Sequence, residues 1–250
     1  MNSLKVKICG ITETVDALRA VELGADALGF IFASSPRQIS MDKARLIINA
    51  IPPFVKTVGV FVNEEAGNIS EHINYCGLDL VQLHGNESPE LCQELMPRTI
   101  KAFRIKDDAN LPIVRDYQNS TRAFLLDTYA KDKAGGTGRT FDWRLAAKFK
   151  DSGIPLILSG GLSPANIAEA IRLVKPYAVD VNSGVEERPG KKSYGLMQQL
   201  MEKVSKAKNI NIEHPTSNYE LKSSRLGGHE AGRSESWEAG KLEGWEARKL

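Results

Sequence analysis

The sequence predicts a closed (β/α)8 barrel, on three observations. Eight short β-branched or apolar runs recur at fairly regular intervals, most of them followed by a helix-length amphipathic stretch. The runs are apolar along nearly their whole length, as a parallel sheet covered by helices on its outer face requires. The turn after the first run, Cys9-Gly10-Ile11-Thr12, lacks the glycine-rich fingerprint that an open doubly wound sheet would carry there to hold a dinucleotide. Eight strand–helix units fit a closed barrel better than an open sheet.

The runs, in order, are LKVKIC (4–9), ADALGFIF (25–32), KTVGVFV (56–62), LDLVQLH (78–84), TIKAFRI (99–105), RAFLLD (122–127), IPLILSG (154–160) and YAVDVNSG (177–184). Helices are expected over 12–24, where Thr12 is a start signal and Gly24 a stop, and over 41–51. Further helices are expected over 64–77, ending at Gly77, over 88–97, opening with Ser88-Pro89, and over 164–174. The barrel domain spans 1–207. From 208 to 250 the character changes: HEAGRSES, WEAGKLEG and WEARKL align as an eight-residue repeat beginning at His229, Trp237 and Trp245. With seven acidic and seven basic residues and few aliphatic ones, this segment is expected to remain a disordered tail.

At 250 residues, 42% hydrophobic and 26% charged, the composition is that of a globular protein with one large core. A net charge of +2 argues against nucleic acid or a membrane surface as partner, and leaves a small anionic ligand open. Three cysteines form no closed disulfide framework, and neither a signal peptide nor a run of about 18 apolar residues is present. The expected compartment is the cytoplasm, and the expected state a monomer or a homodimer.

In such barrels the carboxyl ends of the strands and the loops after them carry the chemistry. This sorts the candidates. Cys9 closes the first strand, Arg37 lies after the second, His84 closes the fourth and Asp127 the sixth. Ser159-Gly160-Gly161 ends the seventh, and Asp180 through Glu186 follow the eighth. Cys76 and Cys92 fall within helical segments, where a small apolar side chain faces a core. SGGLSPANI sets two glycines between a strand and a helix start, and NSGVEERPG offers a short extra helix at Ser183-Gly184. Each motif alone is an ordinary turn, but at strands seven and eight together they match a barrel phosphate site. Alternation puts Lys7 and Cys9 on one strand face, and Ala123, Leu125 and Asp127 on another, so Cys9 and Asp127 can both point inward. A thiolate can take a proton from carbon beside a polarised C=N group, and a buried carboxylic acid can protonate a departing oxygen. The competing roles are plain ones: Cys9 as a small residue at a crowded strand end, Asp127 as a cap.

KICGIT, followed in order by GFIFASSPRQIS, VQLHG, LLDT, KAGGTGRTFDW, LSGGL and DVNSGVE, resembles the phosphoribosylanthranilate isomerase family over residues 4 to about 205. The resemblance implies a cofactor-free and metal-free Amadori rearrangement in tryptophan biosynthesis. It further implies Asp127 as the acid that opens the ribose ring and Cys9 as the base at C2. Arg37 would hold the anthranilate carboxylate, Gly160, Gly161, Ser183 and Gly184 the phosphate, and Asp180 would face the substrate's amino or hydroxyl groups. By its place at a strand end His84 either shapes the pocket or is a satisfied histidine behind it, needed by neither the acid nor the base, and Gly-rich KDKAGGTGRTFDW reads as a mobile cover or as a connection with no closing role. Asn182 departs from the family's usual Ser, and Ser193 from its usual Asp. A different phosphosugar barrel of the tryptophan or histidine pathways would share the phosphate loops but place another pair at the strand ends. A non-catalytic barrel acting through its tail would not need the acid and base.

Overall fold

A computed structural model of the chain describes residues 4–105, 114–128, 143–147, 149 and 153–213, all within one compact unit, Met1–Pro215. All of the expected cover (131–143) but Trp143, and the repeat-bearing segment 214–250, lie outside the described residues.

Eight parallel strands form a closed barrel in chain order. They are β1 (Lys5–Ile8), β2 (Ala27–Ile31), β3 (Lys56–Phe61), β4 (Leu80–Leu83), β5 (Thr99–Ile105), β6 (Ala123–Thr128), β7 (Leu156–Ser159) and β8 (Ala178–Val181). Closure comes from β1, which pairs with β2 on one side and with β8 on the other, Lys7 opposite Asp180. Alternation divides each strand between two environments. Val58, Ile100, Ala102, Ala123, Leu125, Ile157 and Ala178 fill the barrel interior. Their neighbours, among them Val6, Ile8, Phe30, Val81, Leu83 and Phe124, pack outward in the larger layer against the helices.

The helices are α1 (Thr14–Glu22), α2 (Met41–Ala50), α3 (Ala66–Cys76), α4 (Pro89–Glu94), α5 (Trp143–Ala147), α6 (Ile167–Val174) and α7 (Tyr194–Glu213). Local chemistry sets several of their ends. Ser40 caps α2 by accepting from the Lys43 N–H, and Ser88 caps α4 by accepting from the Leu91 N–H, with Pro89 in the first turn. Gly77, at φ 76°, ends α3 in the left-handed conformation that glycine tolerates best. Cys76 and Cys92 face the core from α3 and α4. Burial pushes both thiols up, that of Cys92 to about 11.

Thr12 is not the start signal expected of it: α1 begins at Thr14, and Glu13 at its cap makes no side-chain bond to the helix. The Thr12 hydroxyl instead donates to the Gly190 carbonyl. That carbonyl belongs to a hairpin the sequence did not announce, β9 (Glu186–Arg188) with β10 (Lys191–Lys192). Buried Asp16 on α1 anchors the hairpin, taking the Lys191 ammonium and the Lys192 N–H at 2.9 Å each. Helix α7 continues across the 207/208 boundary to Glu213. No helix among the described residues is long and apolar enough to cross a membrane.

Candidate active site

Cys9 follows β1 directly and extends its ladder, its N–H reaching the Val181 carbonyl at 2.9 Å. The thiol points into the barrel because the strand beside it has no side chain at the facing position: a Cβ on Gly29 would stand 2.7 Å from Sγ. Gly10, at φ +73°, then turns the chain in the left-handed region. A Cβ there would meet Asn182 Oδ1 at 2.7 Å and Arg37 Cδ at 2.9 Å.

Beneath the thiol lies Lys7, buried, its ammonium 3.5 Å from Sγ. The same nitrogen donates to Gln82 Oε1 at 2.6 Å and to Asp180 Oδ2 at 3.1 Å. Burial opposes the lysine's charge, but Asp180 and Cys9 outweigh it and hold its pKa above the usual value. For Cys9 the balance goes the other way: burial pushes the thiol up, and the nearby Lys7 and Lys192 only partly pull it back. Across the barrel, Gln82 Nε2 lies 2.9 Å from His84 Nδ1, and His84 Nε2 lies 3.2 Å from Asp127 Oδ2.

Asp180 lies within β8, facing inward, rather than after the strand as the sequence suggested. Its Oδ2 takes Lys7 and, at 3.5 Å, the Ser159 hydroxyl. Its Oδ1 is buried without a hydrogen-bond partner, the one such side-chain atom among the described residues. A buried carboxylate oxygen in that state is costly unless something completes it.

The loops after β7 and β8 meet at Gly184, where a Cβ would sit 1.9 Å from the Leu162 carbonyl oxygen. Gly160 and Gly161 both adopt positive φ, at 89° and 62°. Asn166 at the head of α6 ties the first loop down, donating to the Gly161 carbonyl and accepting from the Ser163 N–H. Ser183–Val185 forms the short extra 3-10 turn expected after strand eight.

Arg37 is held by a carboxylate of the protein itself. Its Nε and Nη2 fork onto Glu186 at 2.7 to 3.0 Å. Glu186 also takes buried Lys192 at 2.9 Å, and Lys192 donates to Asn182 Oδ1 at 3.0 Å. Burial works against the Glu186 charge, but Arg37 and Lys192 hold its carboxyl below the usual range. Donating to Glu186 raises Arg37, and burial depresses Lys192 although it donates to the same carboxylate. The departures at 182 and 193 thus have local uses: Asn182 receives Lys192, and Ser193 Oγ accepts from the Leu196 N–H in the first turn of α7.

A cavity of about 210 Å³ opens at this rim. Cys9, Asp127, Asp180, Gly160, Gly161 and Ser183 line it together with Gln82 and His84. Arg37 and Gly184 do not line it: Arg37 stands beside Gly10 at the edge, and Gly184 packs one loop on the other. Among the described residues, no group of three or more His, Cys, Asp or Glu side chains is placed to hold a metal ion. Three participants escaped the sequence analysis, Lys7 as a contact of both Cys9 and Asp180, Gln82 and Lys192, and Glu186 was placed at the rim without a role. A lysine alternating inward in KVKIC and a glutamine inside LVQL were the signals available, since such side chains are rarely buried without a specific partner.

Fold and rim together define a (β/α)8-barrel protein with its cavity at the carboxyl ends of the strands, where such barrels place their active sites. The family model for N-(5'-phosphoribosyl)anthranilate (PRA) isomerase matches residues 6–203. The chain belongs to that family. A relative from Geobacter sulfurreducens, N-(5'-phosphoribosyl)anthranilate isomerase, is 50% identical over 202 residues, covering 80% of this chain and 98% of its own. The crystal structure of phosphoribosyl anthranilate isomerase from Thermotoga maritima is 45% identical, with a TM-score of 0.75, covering 81% of this chain and 99% of that one. A further solved isomerase is in complex with reduced 1-(o-carboxyphenylamino)-1-deoxyribulose 5-phosphate; it is 42% identical, with a TM-score of 0.73 and the same coverage.

Proposed function

We propose that the chain converts N-(5-phosphoribosyl)anthranilate to 1-(2-carboxyphenylamino)-1-deoxy-D-ribulose 5-phosphate, with Cys9 as base, Asp127 as acid and no cofactor. The observation that carries this is the convergence of Cys9, Asp127 and Asp180, whose buried Oδ1 has no hydrogen-bond partner, on one cavity bordered by the β7 and β8 glycine loops. Asp127 gives its proton to the ribose ring oxygen; the C1–O bond breaks and the anilino nitrogen becomes a cationic imine. That cation acidifies C2, and the Cys9 thiolate takes the C2 proton to leave an enolamine. The enolamine takes a proton at C1 from the Cys9 thiol and gives the one on the C2 hydroxyl to the Asp127 carboxylate as the ketone forms, so both side chains return to their starting states.

Gly160, Gly161, Ser183 and Gly184 would hold the phosphate through backbone N–H groups and the Ser183 hydroxyl. Asp180 Oδ1 would accept from the substrate's amino or hydroxyl group. Arg37 would meet the anthranilate carboxylate through its Nη1 side, because Glu186 occupies the Nε–Nη2 edge. Three cysteines without disulfide partners support a reducing, cytoplasmic setting. The barrel would be the isomerase domain and the segment from 208 a tail outside the chemistry. No macromolecular partner other than a second copy of the chain is proposed.

The test supplies freshly formed phosphoribosylanthranilate to the wild type, Cys9→Ser and Asp127→Asn and follows loss of the anthranilate-type fluorescence. Each substitution should lower turnover by about 10² to 10⁴, the usual contribution of a positioned acid or base. Equal rates in the three proteins would sink the assignment.

A further inference from the structure

Five side chains in the mouth of the barrel form one unbroken polar chain: Cys9, Lys7, Gln82, His84 and Asp127. Its directions are forced. An ammonium has donors only, so Gln82 must turn its Oε1 to Lys7, which leaves its NH2 group to face the ring of His84. His84 Nδ1 therefore accepts, the ring proton sits on Nε2, and Nε2–H donates to Asp127 Oδ2. Both Lys7 and Gln82 are buried, at 4% and 1% exposure, so water replaces neither.

We propose that Lys7 and Gln82 are positioning residues for proton transfer: through His84 they join the thiol of Cys9 to the carboxyl of Asp127 and fix which atom at each end carries a proton. With Oδ2 occupied by an N–H, Oδ1 is the oxygen of Asp127 that carries and delivers the acid proton. At the other end, four charged groups face Cys9: Lys7 from its own strand, Asp180 from β8, Lys192 from β10 and Arg37 from the loop after β2. Asp180 disfavours the thiolate and the three cations favour it. Among the described residues, Lys7 alone makes a hydrogen bond to the sulfur. The consequence for turnover rests on the isomerase function proposed above; the geometry of the chain does not.

Two measurements that need no substrate test it. In Lys7→Met, alkylation of Cys9 by iodoacetamide, followed on the Cys9 peptide by mass spectrometry, should have its pH midpoint raised by about one unit or more. Near pH 8 that is a roughly tenfold slower reaction. An unchanged profile overturns the role of Lys7. In Gln82→Glu, which preserves side-chain size, nitrogen NMR of His84, assigned by loss of its signal in His84→Gln, should move the ring proton from Nε2 to Nδ1. A wild-type ring protonated on Nδ1, or one indifferent to Gln82→Glu, overturns the chain, whether or not Lys7→Met folds. With phosphoribosylanthranilate, Lys7→Met should lower kcat at least tenfold at near-neutral pH and leave KM within about twofold, and a loss confined to KM counts against it. If the wild type turns over no substrate, the isomerase function fails while the alkylation and NMR results still decide the chain.

Discussion

Two of the buried lysine–carboxylate pairs of the barrel lie on opposite faces of the same sheet. Outside the sheet, Lys101 on β5 reaches Glu87 in the segment after β4 at 2.8 Å, with side chains 2% and 1% exposed. Inside it, Lys7 meets Asp180 at 3.1 Å, with both side chains 5% exposed. The outer pair is complete. Lys101 also donates to the carbonyls of Leu83 and Gly85 and lies near the rings of Phe103 and Tyr117. Glu87 takes the N–H groups of Asn63 and Gly85 as well. The inner pair is incomplete, because Asp180, which lines the cavity, keeps a buried Oδ1 without a hydrogen-bond partner. A buried ion pair whose hydrogen bonds are all made holds a loop in place; one left short an interaction faces whatever is to complete it.

The comparison breaks most easily at the outer pair. Lys101→Met strands the Glu87 carboxylate and should cost about 3–5 kcal/mol, read as a fall in the urea midpoint, with turnover per folded molecule unchanged. Replacing both partners, Lys101→Met with Glu87→Leu, should recover much of that loss. Asp180→Asn should act the other way round. Removing the charge proposed to meet a substrate donor should lower turnover about 10- to 100-fold, the worth of a hydrogen bond to a charged group. If Asp180→Asn spared turnover while Lys101→Met abolished it, the distinction between the two pairs would be wrong.

Acid sharpens the contrast. Burial opposes the charge of Glu87, but Lys101 and the Asn63 N–H outweigh it and hold the carboxyl below the usual range. A depressed folded value contributes stability that is fully present above the unfolded value, about 4.3, and is lost as pH falls through the folded one. Denaturant titrations should therefore show a shallower acid loss in Glu87→Gln than in the wild type. The smallest effect is expected at Cys76→Ala: about 1 kcal/mol in the urea midpoint and no change in turnover, since that thiol packs between α3 and the core.

The strands were legible because parallel strands covered on both faces read as apolar runs, and β8 is buried along all four of its residues. Cys9, Asp127 and the two glycine loops were legible because their positions at strand ends follow from counting units. What stayed hidden lies in pairings between distant parts of the chain. Gln82 stands 75 residues from Lys7, and Glu186 stands 149 from Arg37. Periodicity tells which face a side chain takes, not which group it will find there. Thr12 shows the converse: a sound local helix signal yielded to a stronger tertiary partner, the Gly190 carbonyl.

Lys7 and Asp180 are also opposite each other where the first strand joins the last. A chain emerging from the ribosome can pair seven strands in sequence and still lack Asp180, the loop at Ser183-Gly184 and the closing ladder. On the proposed function, competence would therefore arrive only with the final join, and a product cut short before Ala178 would carry Cys9 and Asp127 as spectators in a sheet without its closing strand.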